Sequence, residues 1–347
     1  MNIRTLTMLA LAALLIIAGC RKNIQDTMMN TNILEASEKN ITFESQEGYP
    51  ISGTLTMPHG GAKAAVVLIH GSGPNDRDES VGANKPFRDL SHGLAEKGIA
   101  VLRYDKITYT YGRQIASGPN YPRLTVEQEV VVDAANAFKF LQTQPGINAD
   151  KIFLLGHSLG GGLLSYIGTD AAGYVIMGGT PRKFWEISYD QNMDLISGME
   201  AAGMKAEVEQ GKVLIESEMA KTKELFSKSD DDLLNETIFG MPTIYLKHLG
   251  AIDPVKLHMA DGKPVLVLHG AKDRQIYIKD YELWQGGLKS HPDAQFRLYE
   301  NLNHLFGEYT GEPVEPMELV SVEYAHSTPV PAYVIKDIAE WILERSK

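Results

Sequence analysis

The sequence predicts an α/β fold with a mostly parallel central sheet covered by helices on both faces. Three observations carry this expectation. The composition, 44% hydrophobic and 22% charged over 347 residues, is that of an ordinary globular chain and excludes disorder, collagen and coiled coil. Runs such as AAVVLIH (64–70) have the short, continuous hydrophobicity of strands buried on both sides. Amphipathic stretches of helical spacing alternate with these runs, the rhythm of a parallel sheet whose crossovers are helices.

The elements follow in order. ITFESQ (41–46) and ISGTLTMP (51–58), joined through Gly48-Tyr49-Pro50, read as an antiparallel hairpin. After strand 64–70, a helix over 86–97 places Phe87, Leu90, Leu94 and Ala95 on one face and ends at Gly98. IAVLRY (99–104), a helix through 125–143, KIFLLG (151–156), a helix from Leu159 and YVIMGG (174–179) continue the alternation. It resumes with PVLVLHG (264–270), a helix over 277–289, strand QFRLYE (295–300) and a final helix over 332–345. Residues 305–331 read as a long loop with four prolines.

Residues 182–262 interrupt the rhythm with helical-looking sequence and no convincing strand, an insertion between the core segments 40–181 and 263–347 that reads as a helical cap. Val208, Ile215, Met219 and Phe226 fall on one helical face. Asp230-Asp231-Asp232 reads as an N-cap and first turn before LLNETIF. Six of the thirteen methionines lie in this segment, which is either an ordinary apolar core or an adaptable face that forms the substrate pocket. The segment carries 9 basic and 15 acidic residues, mildly disfavouring strongly anionic substrates.

The chain as a whole has 33 basic and 44 acidic residues, a formal charge of −11, and no basic stripe of the kind a nucleic-acid binder shows. Its one cysteine, Cys20, excludes a disulfide scaffold, a cysteine metal site and a cysteine nucleophile in the folded part. Arg4 and the apolar run 6–18 (LTMLALAALLIIA) have the form of an export signal, since thirteen apolar residues are short for a membrane span. Ile17-Ala18-Gly19-Cys20 resembles a bacterial lipobox, with 1–19 removed and Cys20 lipidated. A plain signal peptide or an N-terminal anchor is the alternative. Residues 20–39 then form the lipidated cysteine and a polar tether, or dock through Met28, Met29, Ile33 and Leu34 as one helical turn. An exported, membrane-anchored lipoprotein of the cell envelope is the expected placement.

The chemistry falls at strand ends. Gly156-His157-Ser158-Leu159-Gly160 follows a strand and opens the next segment, the setting a G-x-S-x-G nucleophile elbow requires. A serine hydroxyl is a weak nucleophile until a base takes its proton. His157 is adjacent but points elsewhere at such an elbow, and His70 lies in the following candidate, so His304 in Asn301-Leu302-Asn303-His304 is the expected base. Asp273, three residues beyond PVLVLHG, is placed to orient that imidazole. A tetrahedral oxyanion needs two backbone donors, expected from Leu159 and from Ser72 of His70-Gly71-Ser72-Gly73. The adjoining Pro74-Asn75-Asp76-Arg77-Asp78-Glu79 either stiffens that loop or borders the acyl pocket, or is a self-satisfied surface ion-pair cluster.

Together the elbow, HGSGPNDRDE (70–79), LRYDK (102–106), PVLVLHGAKD (264–273) and NLNHLF (301–306) resemble the α/β-hydrolase superfamily over about residues 41–346. They look most like bacterial serine esterases with an HGSGPxDRDE block and a helical cap. The order Ser158…Asp273…His304 matches that superfamily's order. Where the strand exit reads Tyr104-Asp105-Lys106-Ile107, relatives favour a second basic residue in place of Ile107, so a pocket-rim contact is expected to differ. The resemblance implies two-step acyl transfer on short- to medium-chain esters, without metal or organic cofactor and with activity falling at acid pH as the base protonates. A peptidase, acyltransferase or thioesterase on the same triad, and a catalytically silent ligand-binding lipoprotein, are the alternatives.

Overall fold

The computed structural model describes residues 36–46, 48–312, 314 and 319–347. Among these residues the strands are β1 (Ser37–Gln46), β2 (Tyr49–Met57), β3 (Ala64–Ile69), β4 (Ile99–Tyr104), β5 (Ile152–His157), β6 (Tyr174–Met177), β7 (Thr237–Ile238), β8 (Met241–Pro242), β9 (Val265–Gly270) and β10 (Ala294–Tyr299). Eight form one sheet in the order β1-β2-β4-β3-β5-β6-β9-β10, and β7 pairs with β8 alone. The contacts β1–β2 and β2–β4 are antiparallel; all others in the large sheet are parallel. A mostly parallel sheet is the outcome, as the alternation predicts, in the α/β-hydrolase form that the resemblance implies.

Strands β3, β4, β5 and β9 are buried throughout, which is why their sequences are apolar without alternation. Helix α1 (Pro86–Glu96) turns Phe87, Leu90, Leu94 and Ala95 inward, the face its spacing predicts. It shares one side of the sheet with the C-terminal helix over Ala332–Arg345, through Val334, Ile338 and Ile342. The other side is covered by the helix over Val132–Gln142, with Ala134, Phe138 and Leu141, and by Tyr281 and Trp284 further along. The register Ala65↔Ile152 through Ile69↔Gly156 brings the ends of β3 and β5 level, and Tyr299↔Gly270 does the same for β10 and β9. Four loops therefore emerge along one sheet edge, at the carboxyl ends of parallel strands where ligands of such folds bind.

Several expectations are corrected. Helix α2 (Ile107–Ser117) was not anticipated: only Ile107 is buried, so it lacks an apolar stripe, and its β-branched Ile and Thr residues and Gly112 argue against a helix locally. The predicted helix 125–143 opens instead with a wide π-turn over Glu127–Val131, and the regular α3 spans Val132–Gln142. Beyond Ser158 there is no long helix but a 3-10 turn, Ser158–Gly162, because three successive glycines have little helix preference.

The inserted segment contains α4 (Phe184–Ala201), α5 (Lys205–Thr222), α6 (Thr243–Ala251) and α7 (Pro254–Asp261), besides the β7–β8 ribbon. Trp185, Leu195, Ile196, Val208, Ile215 and Leu246 give it a core of its own. Val208 and Ile215 are buried as expected of one face, but Phe226 lies beyond α5 and is mostly exposed. Asp230-Asp231-Asp232 opens no helix. The Ser229 amide and hydroxyl both donate to Asp232, while Asp230 accepts from Lys247 and His248, so local side-chain bonds hold the chain in turns. The core closes with α8 (Ile278–Gly287) and α9 (Ala332–Arg345).

Candidate active site

Ser158 has φ +51, a left-handed backbone that a non-glycine residue adopts only under constraint. The constraint is visible at its flanking glycines. A Cβ on Gly156 would lie 2.4 Å from the Gly160 carbonyl, and one on Gly160 would lie 2.5 Å from the Ile69 oxygen. The glycines two before and two after the serine are thus needed for close passage of the chain, which thrusts Ser158 out at the end of β5.

His304 and Asp273, 31 residues apart, meet: Nδ1 of the ring lies 2.7 Å from Asp273 Oδ2. The second carboxylate oxygen accepts the Gln275 and Ile276 amides, each at 2.8 Å. Burial alone would raise the Asp273 carboxyl, but His304 and the Ile276 amide outweigh it and hold the group below its ordinary range. Ser158 and His304 line one cleft, together with Gly71, Ser72, Leu305, Leu319, Val320 and Tyr324. Ser158, Ser72 and Leu159 also line a second cleft of about 710 Å³, mouth included, walled by Phe184, Ile187, Leu249 and Ile252 of the inserted helices and their flanks. None of the six methionines of that segment lines either cleft. Met193, Met199, Met219 and Met241 pack within the segment's own core, so the apolar wall comes from other residues.

The loop carrying Ser72 is pinned from three sides. Asn75 Nδ2 donates to the Gly71 and Ser72 carbonyls, at 3.2 and 3.0 Å. Lys106 Nζ donates to the Gly71 and Gly73 carbonyls, at 3.0 and 2.9 Å, and to Glu129 Oε1 at 2.7 Å. Glu129 Oε2 in turn accepts from the Tyr245 hydroxyl of α6 at 2.6 Å. From the third side Glu79 Oε1 accepts the Gly71 amide at 2.6 Å, and its Oε2 lies 3.0 Å from His157 Nδ1.

The block 74–79 is thus a half-buried ion-pair network that also stiffens the loop, with Glu79 turned inward. Arg77 grips Asp105 with Nε and Nη2, Arg103 is buried between Asp78 and Glu38, and Glu79 is 2% exposed. Burial opposes the charge on both His157 and Glu79, yet each stabilises the other's ion: the histidine is raised and the glutamate lowered from their ordinary values. His70, by contrast, is pushed down to about 4 by burial, and its Nε2 is 3.0 Å from the Asp76 carbonyl. Ile107 does not border either cleft: it is buried, and its amide donates to Asp133 Oδ2 at 3.0 Å.

The sequence offered the block ending in Glu79 as a stiffener of the loop and set His157 aside only as the base, but their pairing, and the part played by Lys106 and Glu129, left no local signal, since these segments lie far apart in the chain. Sequence reasoning also passed over Glu323, a buried carboxyl near Asp273 that burial pushes up to about 7. Among the described residues no group of three or more His, Cys, Asp or Glu is arranged to hold a metal ion. Among them, too, no helix is long and apolar enough to cross a membrane, and Cys20 with its lipobox lies outside the described residues.

A serine on a strained strand-to-turn elbow, in one cleft with a histidine held by a buried carboxylate at the carboxyl ends of parallel strands, is the arrangement of the α/β-hydrolase class. The chain belongs to the alpha/beta hydrolase family, whose sequence model matches residues 66–315. It is 34% identical over 312 residues to Esterase EstD of Thermotoga maritima, covering 88% of this chain and 68% of that protein. Among solved structures of the same fold, an esterase of Pyrococcus furiosus gives a TM-score of 0.53 at 12% identity, over 90% of this chain and 92% of that one. Est1E of Butyrivibrio proteoclasticus, bound to ferulic acid, gives 0.53 at 15% identity, over 88% and 98%. The acylaminoacyl peptidase of Pyrococcus horikoshii gives 0.51 at 12% identity, over 89% and 42%.

Proposed function

We propose that this protein is a serine carboxylesterase that cleaves short- to medium-chain esters through an acyl-enzyme. The observation that carries the reading is the 2.7 Å contact of His304 Nδ1 with Asp273, in a cleft shared with a left-handed Ser158. Ser158 Oγ attacks the ester carbonyl as His304 takes its proton, and Asp273 stabilises the resulting imidazolium. The Ser72 and Leu159 amides receive the oxyanion, each donor contributing about 3–4 kcal/mol. His304 returns the proton to the departing alcohol, and water repeats the attack on the acyl-enzyme with the same base. The apolar wall of Phe184, Ile187, Leu249 and Ile252 supports an aliphatic acyl group on that side.

The finer reading, a bacterial esterase with an HGSGPxDRDE block, exported and anchored through a lipid on Cys20, rests on residues 70–79 and on the lone cysteine after Ile17-Ala18-Gly19. Hydrolysis of p-nitrophenyl esters from acetate to laurate tests the activity. Turnover is expected to be lost by about 10⁶ in Ser158→Ala, and equal rates in both proteins would refute the assignment. Incorporation of labelled fatty acid, abolished by Cys20→Ala, tests the anchor.

A further inference from the structure

The proposed nucleophile, oxyanion loop and base lie on three separate segments, and one buried pair touches all three. Glu79 accepts the Gly71 amide, the residue before Ser72, at 2.6 Å. It pairs at 3.0 Å with His157, the residue before Ser158. His157 Nε2 donates to the His304 carbonyl at 2.8 Å, and the two imidazole rings pack with centroids 4.6 Å apart. Both groups facing the His157 nitrogens are acceptors, a carbonyl and a carboxylate, an arrangement that favours the doubly protonated ring beside Glu79.

The pair is nearly sealed from water, with side chains 4% and 3% exposed. A buried ion pair is a poor device for stability alone, since apolar side chains of equal volume match or exceed it. What it adds here is direction, because its polar contacts end on the oxyanion loop and on the loop of the base. Glu79 also holds φ +52, a conformation that a glutamate keeps only where its surroundings impose it.

We infer that Glu79 is a positioning residue, which through the Gly71 amide and the His157 ring fixes the Ser72 amide, Ser158 and His304 in one frame. The inference rests on the esterase reading above. It explains why an acidic side chain in a block rich in charge is turned inward while Arg77 and Asp78 pair with Asp105 and Arg103.

The test compares the full-length wild type with Ser158→Ala, Glu79→Leu, Glu79→Gln and Glu79→Asp. Rates are expressed per active site titrated with a fluorophosphonate. Glu79→Leu keeps the volume and removes the acceptor; kcat per site is expected to fall about 100-fold, as for a misplaced oxyanion donor. KM should stay within about threefold, because the loss falls on the transition state. The inhibition constant of a phenylboronic acid, which forms the tetrahedral adduct, should rise by a factor similar to the loss in kcat. Glu79→Gln is expected to recover about tenfold over Glu79→Leu, since its amide oxygen still accepts from Gly71 and its NH2 donates to a neutral His157.

A residue serving stability alone would lower the melting temperature and the yield of titratable sites but leave kcat per site unchanged. That result for Glu79→Leu overturns the inference. Should Glu79→Leu not fold, Glu79→Asp decides. One methylene shorter, it cannot span both Gly71 and His157, so its kcat per site should lie about tenfold below that of Glu79→Gln. Equality of the two would overturn the inference. A wild type without turnover, or Ser158→Ala as active as wild type, defeats the esterase reading itself, a result no Glu79 variant produces.

Discussion

The Asp273 carboxylate gives one oxygen to His304 Nδ1 and the other to the amides of Gln275 and Ile276, so it has no freedom to rotate. In Asp273→Asn the amide oxygen must keep the two backbone donors, which turns the NH2 toward His304 Nδ1. The imidazole then holds its proton on Nε2, the nitrogen that the proposed mechanism requires free. A fall in kcat of about 10⁴-fold is expected with the fold intact. Steady-state kinetics on p-nitrophenyl acetate, with circular dichroism as the control, check it. A loss under tenfold would show that Asp273 does not orient the base.

Lys106 and Glu129 form a buried pair beneath the loop that carries Ser72, with side chains 1% and 10% exposed. Lys106→Met leaves the carboxylate without its cation and the Gly71 and Gly73 carbonyls without a donor. A destabilisation of about 3–5 kcal/mol is expected in urea titrations, with a drop in kcat. Adding Glu129→Leu should recover part of the stability, since no uncompensated charge remains, while kcat stays low because the carbonyls are still unanchored.

The Phe184 side chain walls the cleft beside Leu159 and Leu163. Phe184→Ala lengthens the space available to an acyl chain. The optimum of a p-nitrophenyl ester series should move to longer chains, with kcat/KM rising about fourfold for each further methylene buried, the equivalent of about 0.8 kcal/mol. An unchanged optimum would put the acyl group in the cleft lined by His304 instead.

Asp133 is pushed up to about 6 by burial, with Glu129 adding to the effect against the bonds from Ser45 and Ile107. Between about pH 4 and pH 6 the folded chain therefore keeps a proton that the unfolded chain has released, and stability falls as pH rises through that window. The difference amounts to about 3 kcal/mol. Asp133→Asn does not titrate; its oxygen can accept from Ile107 while its NH2 donates to Ser45. Relative to wild type it should gain stability from pH 4 to pH 6 and hold the gain above. Urea midpoints at four pH values measure this, and parallel curves for the two proteins would count against it.

Much of the fold was legible because strand and helix patterns here are local. IAVLRY and the final helix 332–345 have the limits their apolar spacing predicts. Ser158, Asp273 and His304 were legible because each follows a strand closely, where side chains converge in a parallel sheet. What was hidden depends on contacts between distant segments. Nothing in the sequence around Glu79 shows that it faces His157, and nothing around Lys106 shows that Glu129 lies below it. Helix α2 escaped notice because its face is exposed and leaves no apolar period. The methionines of 182–262 left two readings open, because adaptability is a property of the residue, whereas packing against Val208, Ile215 and Leu246 decides for ordinary core.

Glu129 divides its carboxylate between Lys106 of the core and the Tyr245 hydroxyl of α6. The inserted helices are consequently not an interchangeable module. A foreign segment grafted between residues 181 and 263 would inherit a buried acceptor with nothing to fill it, unless it brought a hydroxyl or amide to the place of Tyr245. Engineering new substrate range by exchanging this segment is thus restricted to replacements that supply that one donor, while side chains facing the cleft beside Phe184 remain open to change.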